Sequence, residues 1–176
     1  QVDIAWHSKQ ALSRISKNGR QDQGVALDII TPAHASLEEH LARREDNTPR
    51  DQWLLVDGIT NPQNLGMIIR STAASPLQGI IIPQKGNASL DPLAIKASAG
   101  TLFRATILRT PDTTVALPAL KQHGYRLIGL AGDGAQPISD IPLDASVVYI
   151  VGSETHGLSE VSRKHVDALC SIPMNH

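Results

Sequence analysis

The stretch Leu54–Ala74, which reads LLVDGITNPQNLGMIIRSTAA, decides the fold that this sequence predicts. Its first residues complete a short apolar strand, 53–56, and a polar loop follows at 57–66. A helix is then expected over 65–74, because its apolar residues recur with a helical period and gather on one face. A strand that leads through a polar loop into an amphipathic helix is the repeating unit of α/β proteins.

The rest of the chain repeats this alternation. Further strands are predicted at 79–82, 106–108, 126–130, 147–151 and 169–172, and further helices at 92–99, 114–123 and 159–166. Pro118 leaves open whether the helix at 114–123 covers only its second half. The strands are apolar throughout rather than alternating, which indicates a parallel sheet buried on both faces.

The region before the first of these strands has its own signals. A short amphipathic helix is predicted at 8–18, with Ser8 as its N-cap. A strand-like apolar run follows at 25–30. Residues 36–39, SLEE, form a capping box that opens a helix reaching about residue 44. A polar, proline-containing linker at 45–51 then precedes the regular α/β pattern.

The composition excludes several classes of function. The 176 residues carry a net charge of −1 and only 3% aromatic side chains, so neither a global positive field nor base-stacking platforms can drive RNA binding. Local arginine groups, such as 43, 44 and 50, are better explained as solvated helix faces. The seven histidines lack the spacing of metal ligands. A single cysteine, Cys170, and the absence of a membrane-length apolar run predict a cytoplasmic protein without metal or membrane.

Candidate binding residues lie where the predicted strands end. Ligands of parallel sheets bind beyond the carboxyl ends of the strands, which places the loops 57–66, 131–135, 152–158 and 173–176 together. None of them contains the glycine pattern of a dinucleotide-binding or P-loop site. The sequence therefore argues against a dehydrogenase or a P-loop enzyme.

In the first loop, Asn64 is predicted to cap the following helix, and Gly66 to allow a close backbone approach. Arg70, six residues further on, could grip a phosphate with its guanidinium. A capped helix with a surface arginine explains the same residues, and by themselves they favour that explanation.

In the loop at 152–158, two glycines, Gly152 and Gly157, bracket the carboxylate of Glu154 and would allow backbone contact with a flat ligand. A glycine-rich turn into the next helix is an equally good explanation. A Ser153–Glu154–His156 triad is rejected, because such neighbours cannot line up as nucleophile, base and orienting group.

Taken together, these segments resemble a known family. LLVDGITNPQNLGMIIRSTAA, VVYIVGSETHGLSE and CSIPM resemble, in order, the three signature motifs of the SpoU/TrmH family within the SPOUT superfamily, and 89–107 resembles its middle segment. The resemblance covers roughly residues 52–174. The segment 23–29, QGVALDI, is similar to a linker that follows a small RNA-binding domain in some members.

The resemblance implies a parallel-sheet α/β domain with a C-terminal trefoil knot, at 51–176. Residues 1–50 would be the remnant of an N-terminal, ribosomal-protein-like RNA-binding domain and its linker. Members of the family act as homodimers and use S-adenosylmethionine to methylate a ribose 2′-OH of RNA. Matched position by position, the catalytic residues are Asn64, Arg70 and Glu154. The cofactor-binding residues are Gly152, Ile172, Leu130, Ala131, Gly157 and Met174.

Three departures from the family pattern stand out. Asn61 and Thr155 replace residues common in the first and second motifs, Asp and Gly. The third motif should continue past CSIPM into a Ser-Leu-Asn segment and a final helix that threads the knot, but the sequence ends at His176. An incomplete sequence, a disordered tail and an inactive truncation all remain open.

The predicted reaction is methylation of ribosomal RNA. Because a guanidinium stays protonated at neutral pH, Arg70 is expected to clamp a phosphate rather than act as a base. Glu154 is expected to orient Arg70 or Asn64 by a hydrogen bond. The alternatives are a transfer RNA substrate and a catalytically inactive RNA-binding or assembly protein of the same fold.

Overall fold

A computed structural model of the chain describes residues 3–16, 19, 22–30, 33–45, 49–142 and 144–173. The chain divides into two compact units, Gln1–Pro32 and Ala33–His176. The predicted domain boundary between residues 50 and 51 stays a prediction. Among the described residues, no helix is both long enough and apolar enough to cross a membrane.

The described residues of the first unit contain one helix, α1 (Lys9–Ser16). Its predicted N-cap is confirmed, because the Ser8 hydroxyl accepts a hydrogen bond from the Ala11 amide at 3.3 Å. The strand predicted at 25–30 is wrong: the segment is exposed and pairs with no strand in the described part of the chain. An apolar run becomes a strand only where a neighbour completes its backbone hydrogen bonds.

The second unit is built on a single parallel sheet. Its strands are β1 (Ala35–Ser36), β2 (Gln52–Asp57), β3 (Gly79–Pro83), β4 (Ile107–Thr110), β5 (Arg126–Leu130), β6 (Gln136–Pro137), β7 (Val147–Gly152) and β8 (Ala168–Ser171). Its helices are α2 (Leu37–Ala42), α3 (Pro62–Ala73), α4 (Pro92–Ala97), α5 (Thr113–Gln122) and α6 (Glu160–His165). The strand order is β1-β4-β3-β2-β7-β5-β8-β6, and neighbouring strands among the described residues pair in parallel. The predicted parallel-sheet α/β fold is therefore confirmed.

The sheet is covered on both faces, as its apolar strands require. On one face, Leu65 and Ile69 of α3 pack with alternate residues of the central strands, among them Val56 and Ile80. On the other face, the core comprises Leu37, Leu41, Leu55, Ile81, Leu117, Leu120 and Val148. The strand β3 is buried along its whole length. This two-sided burial holds the strand ends that form the candidate site.

The start of α3 differs from the prediction. The helix begins at Pro62, and Asn61 is its N-cap, with a side chain that accepts hydrogen bonds from the Gln63 and Asn64 amides at 2.8 and 3.4 Å. The predicted cap at Asn64 is thus wrong, because a proline suits the first turn of a helix and sets its start earlier. Gly66 allows the close backbone approach predicted for it: a Cβ there would lie 2.4 Å from the Ala94 carbonyl oxygen of α4.

The helix α5 runs through Pro118 without a break. Its N-cap is Asp112, whose carboxylate accepts a hydrogen bond from the Val115 amide at 3.0 Å. Ala116, Leu117 and Leu120 are buried on its inner face. Packing of this face against the sheet therefore outweighs the hydrogen bond that the proline cannot donate.

A buried polar network joins the amino ends of three strands. The Arg44 guanidinium donates to Asp51 and Tyr125 at 2.7 Å each and to Ser146 at 2.6 Å. Asp51 also accepts hydrogen bonds from the Tyr125 hydroxyl at 2.7 Å and the Trp53 indole at 2.8 Å. Burial alone would raise the pKa of Asp51, but these hydrogen bonds outweigh it and lower that pKa. Arg44 is half-buried and belongs to this network, so the solvated helix face predicted for it is wrong.

Candidate active site

Four loops of the second unit converge at the carboxyl edge of the sheet. β2 and β7 are neighbours, and Asp57 lies in register with Gly152 at their ends. On the far side of β7, Leu130 at the end of β5 pairs with Val151 and with Cys170 of β8. Because all four strands are parallel, the loops that follow them leave from the same edge.

The first and second motifs meet through one side-chain hydrogen bond. The Asn64 amide, in the first turn of α3, donates to the Glu154 carboxylate at 3.4 Å, a long contact that links residues 90 positions apart. Glu154 is exposed, whereas Asn64 is half-buried. The predicted partnership of Glu154 with Asn64 is therefore present in the structure, and it places an amide and a carboxylate side by side at this edge.

Glu154 sits on a tight turn whose ends are glycines. The backbones of Ser153 and Gly157 exchange two hydrogen bonds, of 3.0 and 2.8 Å, and Gly157 has a positive φ of 66°. A Cβ on Gly152 would lie 2.1 Å from the Gly157 carbonyl carbon, so the turn folds back directly over this residue. The Ser153 hydroxyl accepts a hydrogen bond from the His156 backbone amide at 2.9 Å. That bond stabilises the turn. It is a structural contact and does not activate Ser153 as a nucleophile.

Asp57 is a site residue that the sequence analysis missed. It is 5% exposed, and its carboxylate accepts a hydrogen bond from the Ser159 amide at 2.8 Å. Ser159 is the N-cap of α6 and accepts in turn from the Ser162 amide at 3.2 Å. Asp57 thereby fixes the end of β2 to the start of α6, the helix that follows the turn at 153–157. An aspartate that ends an otherwise apolar strand was the available signal.

Asn87 is a second site residue that the sequence analysis missed. Its side chain accepts a hydrogen bond from the Ile59 amide at 2.7 Å and donates to the Pro83 carbonyl at 3.1 Å. The Ala88 amide donates to the Ile59 carbonyl at 2.7 Å. Asn87 thus ties the loop after β2 to the loop after β3 and holds the backbone just ahead of Asn61.

The predicted cofactor-binding residues surround the ends of β5, β7 and β8. Leu130 and Gly152 are half-buried at their strand ends, and the Ala131 amide donates to the Cys170 carbonyl at 2.9 Å. Ile172 follows β8 and is 57% exposed. Gly157 is exposed, and no atom lies within 4 Å of where its Cβ would be. Met174 lies outside the described residues.

This arrangement fits an adenosyl cofactor. Leu130, Ala131 and Val151 lie at or next to the ends of β5 and β7 and are half-buried, so they offer an apolar surface for a flat ring. The backbone at Gly157 can come close to a ligand, since no side chain is in the way there, whereas Gly152 makes room for the turn itself.

Arg70 does not join this group. It is exposed on α3, six residues after Asn64 and about 120° from it around the helix. Among the residues that the structure describes, its guanidinium makes no hydrogen bond or ion pair. Met67, one turn earlier on the same side, is 53% exposed. Arg70 therefore lies on an outward face of α3 and not beside Glu154.

Two other features lie apart from this site. A cavity of about 430 Å³ is lined by α2, β4 and α5, including Leu41, Val115 and Ala119, and by none of the predicted site residues. Across the described ranges, no three His, Cys, Asp or Glu side chains gather in a way that could hold a metal ion.

Comparison with known proteins shows what this chain is similar to. Residues 51–176 match the SpoU rRNA methylase family. An uncharacterized tRNA/rRNA methyltransferase of Mycolicibacterium vanbaalenii is 36% identical over 163 residues, 93% of this chain and 52% of that protein. One of Mycobacterium leprae is 37% identical, with the same coverage of 93% and 52%. The chain spans about half the length of the curated relatives that it matches.

Solved structures give the same result. The SpoU methyltransferase AviRb of Streptomyces viridochromogenes superposes with a TM-score of 0.68 and 28% identity, over 81% of this chain and 56% of that one. The same protein was crystallised with AdoMet, at a TM-score of 0.67. An AdoMet-bound rRNA methyltransferase of Sinorhizobium meliloti, 20% identical, shares the fold at a TM-score of 0.72 over 96% of this chain and 62% of that one. The chain belongs to the SpoU rRNA methylase family.

Proposed function

We propose that this chain carries the catalytic domain of an S-adenosylmethionine-dependent methyltransferase that modifies a ribose 2′-OH in RNA, with ribosomal RNA preferred over transfer RNA. The observation that carries the proposal is the hydrogen bond between Asn64 and Glu154. It joins the first and second motifs at the edge where the predicted cofactor loops meet. The names of the relatives support an RNA substrate.

The cofactor would be held by Leu130, Ala131 and Ile172 on its apolar side and by the backbone of Gly152 and Gly157, with Met174 as a further predicted contact. When bound, S-adenosylmethionine supplies a methyl group on a positively charged sulfur. The task left to the protein is to place the ribose hydroxyl in line with that methyl group, and such positioning can provide much of the acceleration.

In the reaction, a bond forms between the ribose oxygen and the methyl carbon while the carbon–sulfur bond breaks, and the hydroxyl proton must leave. Asn64 and Glu154 would orient the ribose by hydrogen bonds. Arg70 would hold the adjacent RNA phosphate with two parallel hydrogen bonds and thereby favour loss of the hydroxyl proton to that phosphate or to water. Because Arg70 lies on an outward face of α3, it takes this role only where RNA or a second subunit covers that face.

A homodimer belongs to the same proposal. The exposed Met67 and Arg70 make the outer face of α3 a surface on which a second copy could pack, and the net charge of −1 gives little repulsion between copies. The C-terminal trefoil knot and the RNA-binding remnant at 1–50 are further parts of the proposal and rest on the resemblance of the sequence to its family. A cytoplasmic location is also proposed, and it rests on the single cysteine.

The substitution Arg70→Lys tests the catalytic part. Lysine keeps the charge but cannot make the two-pronged contact, so methyl transfer should fall at least about tenfold, or about 1.4 kcal/mol of transition-state stabilisation. Tritium transfer from labelled cofactor to ribosomal and transfer RNA measures the rate and the substrate preference. Cofactor affinity and melting temperature should stay unchanged.

Arg104→Lys is the matched control, because Arg104 is also exposed but precedes β4, at the opposite edge of the sheet. It should leave transfer unaffected. Unchanged transfer in Arg70→Lys would remove Arg70 from the phosphate-binding role. Cofactor binding without transfer to either RNA would favour the inactive RNA-binding alternative.

A further inference from the structure

An ion pair crosses from α6 to the loop that follows β5. The Arg163 guanidinium donates two parallel hydrogen bonds to the Asp133 carboxylate, each 3.1 Å long. The pair lowers the pKa of the Asp133 carboxyl, chiefly through the hydrogen bonds from Arg163. Neither residue belongs to the three motifs, and their two-pronged geometry is the most specific one available to an arginine–carboxylate pair.

The loop after β5, to which Arg163 is hydrogen-bonded through Asp133, forms one wall of the candidate cofactor site. It begins with Leu130 and Ala131. It is anchored to β8 at both ends, since the Ala131 amide donates to the Cys170 carbonyl at 2.9 Å and the Ala135 amide to the Leu169 carbonyl at 3.1 Å. Gly134 presses against the same strand, because a Cβ there would lie 2.2 Å from the Cys170 carbonyl carbon.

The tip of the loop is held differently. Gly132 has no atom within 4 Å of its would-be Cβ, and both Gly132 and Asp133 are exposed. Within the described part of the chain, the bonds to Arg163 are the side-chain contacts that fasten this tip. The helix that carries Arg163 is itself fixed, because its N-cap, Ser159, donates its backbone amide to the buried Asp57 carboxylate of β2.

We propose that Arg163 is a positioning residue for the cofactor, acting through Asp133 to keep the loop after β5 in its binding conformation. The inference rests on the proposed cofactor-binding function. A wall that is already ordered lowers the entropic cost of binding, so the ion pair raises cofactor affinity without touching the cofactor. The ion pair also connects the loops after β2, β5 and β7 to one another.

The size of the effect follows from the exposure of the pair. Both side chains are in contact with water, so the interaction is weakened by solvent and by salt. Loss of the pair should therefore weaken cofactor binding by about two- to fivefold and not abolish it. The same pair should make cofactor affinity more sensitive to salt than it would be without the pair.

Three variants and one control test the proposal: Arg163→Gln, Asp133→Asn, the double variant and Lys164→Gln. Lys164 is the next residue on α6 and makes its own exposed ion pair with Glu160 at 3.9 Å, so its replacement removes an equal charge from the same helix. Hydrogen exchange of the Gly134 and Ala135 amides reports the loop, and titration calorimetry with S-adenosylmethionine at two salt concentrations reports binding.

We expect faster exchange of both amides and two- to fivefold weaker binding in each single variant, with the double variant no worse than either, because the residues act through each other. Lys164→Gln should match the unsubstituted chain. Unchanged exchange, or additive losses in the double variant, would overturn the proposal, and so would faster exchange with unchanged affinity. If the unsubstituted chain binds no cofactor while exchange still responds, the proposed function fails and the ion pair has only a structural role.

Discussion

Gly152→Ala is the single substitution with the most direct consequence for the candidate site. The added methyl group would lie 2.1 Å from the Gly157 carbonyl carbon, 2.2 Å from its oxygen and 2.3 Å from the Leu158 nitrogen. All three are backbone atoms, so no side chain can rotate out of the way. The turn that carries Glu154 must therefore move as a whole.

The displacement can be worked out from ordinary contact distances. Contacts of a Cβ begin near 3.4 Å, so the turn must retreat by about 1.3 Å, the difference between 3.4 and 2.1 Å. Such a movement strains the two hydrogen bonds between Ser153 and Gly157, which are 3.0 and 2.8 Å long. Overpacking of this kind costs about 1–3 kcal/mol, which lowers the melting temperature of a domain this size by roughly 3–10 °C.

The substitution should also affect function in protein that remains folded. The Asn64–Glu154 hydrogen bond is already 3.4 Å long, so a shift of the turn by about an ångström that lengthens it would break it. Because Gly157 belongs to the proposed cofactor site and moves with the turn, we expect cofactor binding, measured by calorimetry, to weaken by at least about tenfold at a temperature where the variant is fully folded.

Gly132→Ala is the matched control for this prediction. The same methyl group is added to a glycine of another site loop, with no atom within 4 Å and no positive φ. It should change the free energy of unfolding by no more than about 0.5 kcal/mol. A Gly152→Ala variant with unchanged melting temperature and cofactor affinity would refute the close packing of the turn on which the candidate site depends.

Three further predictions concern the rest of the second unit, each checked by urea unfolding. Asp51→Asn should cost about 3–5 kcal/mol, since it removes the counter-charge of Arg44 from the centre of a buried network. Because the pKa of Asp51 is lowered on folding, this loss should be full above pH 3.8 and shrink below it. Burial lowers the pKa of His40, so stability should fall as the pH drops below 6.5, and less steeply in His40→Gln. Pro118→Ala should stabilise α5 by about 1–3 kcal/mol.

The sequence predicted those features that depend on local patterns repeated along the chain. The six strands that carry the sheet and its five helices were expected in the right places, because buried parallel strands are uniformly apolar and helices have periodic faces. β1 and β6, with two residues each, leave no such pattern. The run at 25–30 has the composition of a strand, but composition cannot supply a pairing partner.

The misplaced helix cap shows how two local signals can compete. Asn61 and Asn64 are both good capping residues, and the apolar periodicity starts at Leu65, which favoured the later one. Pro62 settles the choice, since its ring suits the first turn and it has no amide hydrogen to satisfy there. The correction moves Asn64 from a capping role into the helix, where its amide is free to reach Glu154.

The convergence of Asn64 and Glu154 could be predicted because both follow parallel strands, whose carboxyl ends share an edge. The ion pair of Arg163 with Asp133 could not, since sixteen basic and seventeen acidic residues offer many combinations and nothing local marks one pair. This ion pair depends on where α6 lies after the turn at 153–157. The hydrogen bond between Asp57 and Ser159 fixes the start of that helix. Strand order brings the site residues together, whereas their fine placement depends on contacts that only the folded chain selects.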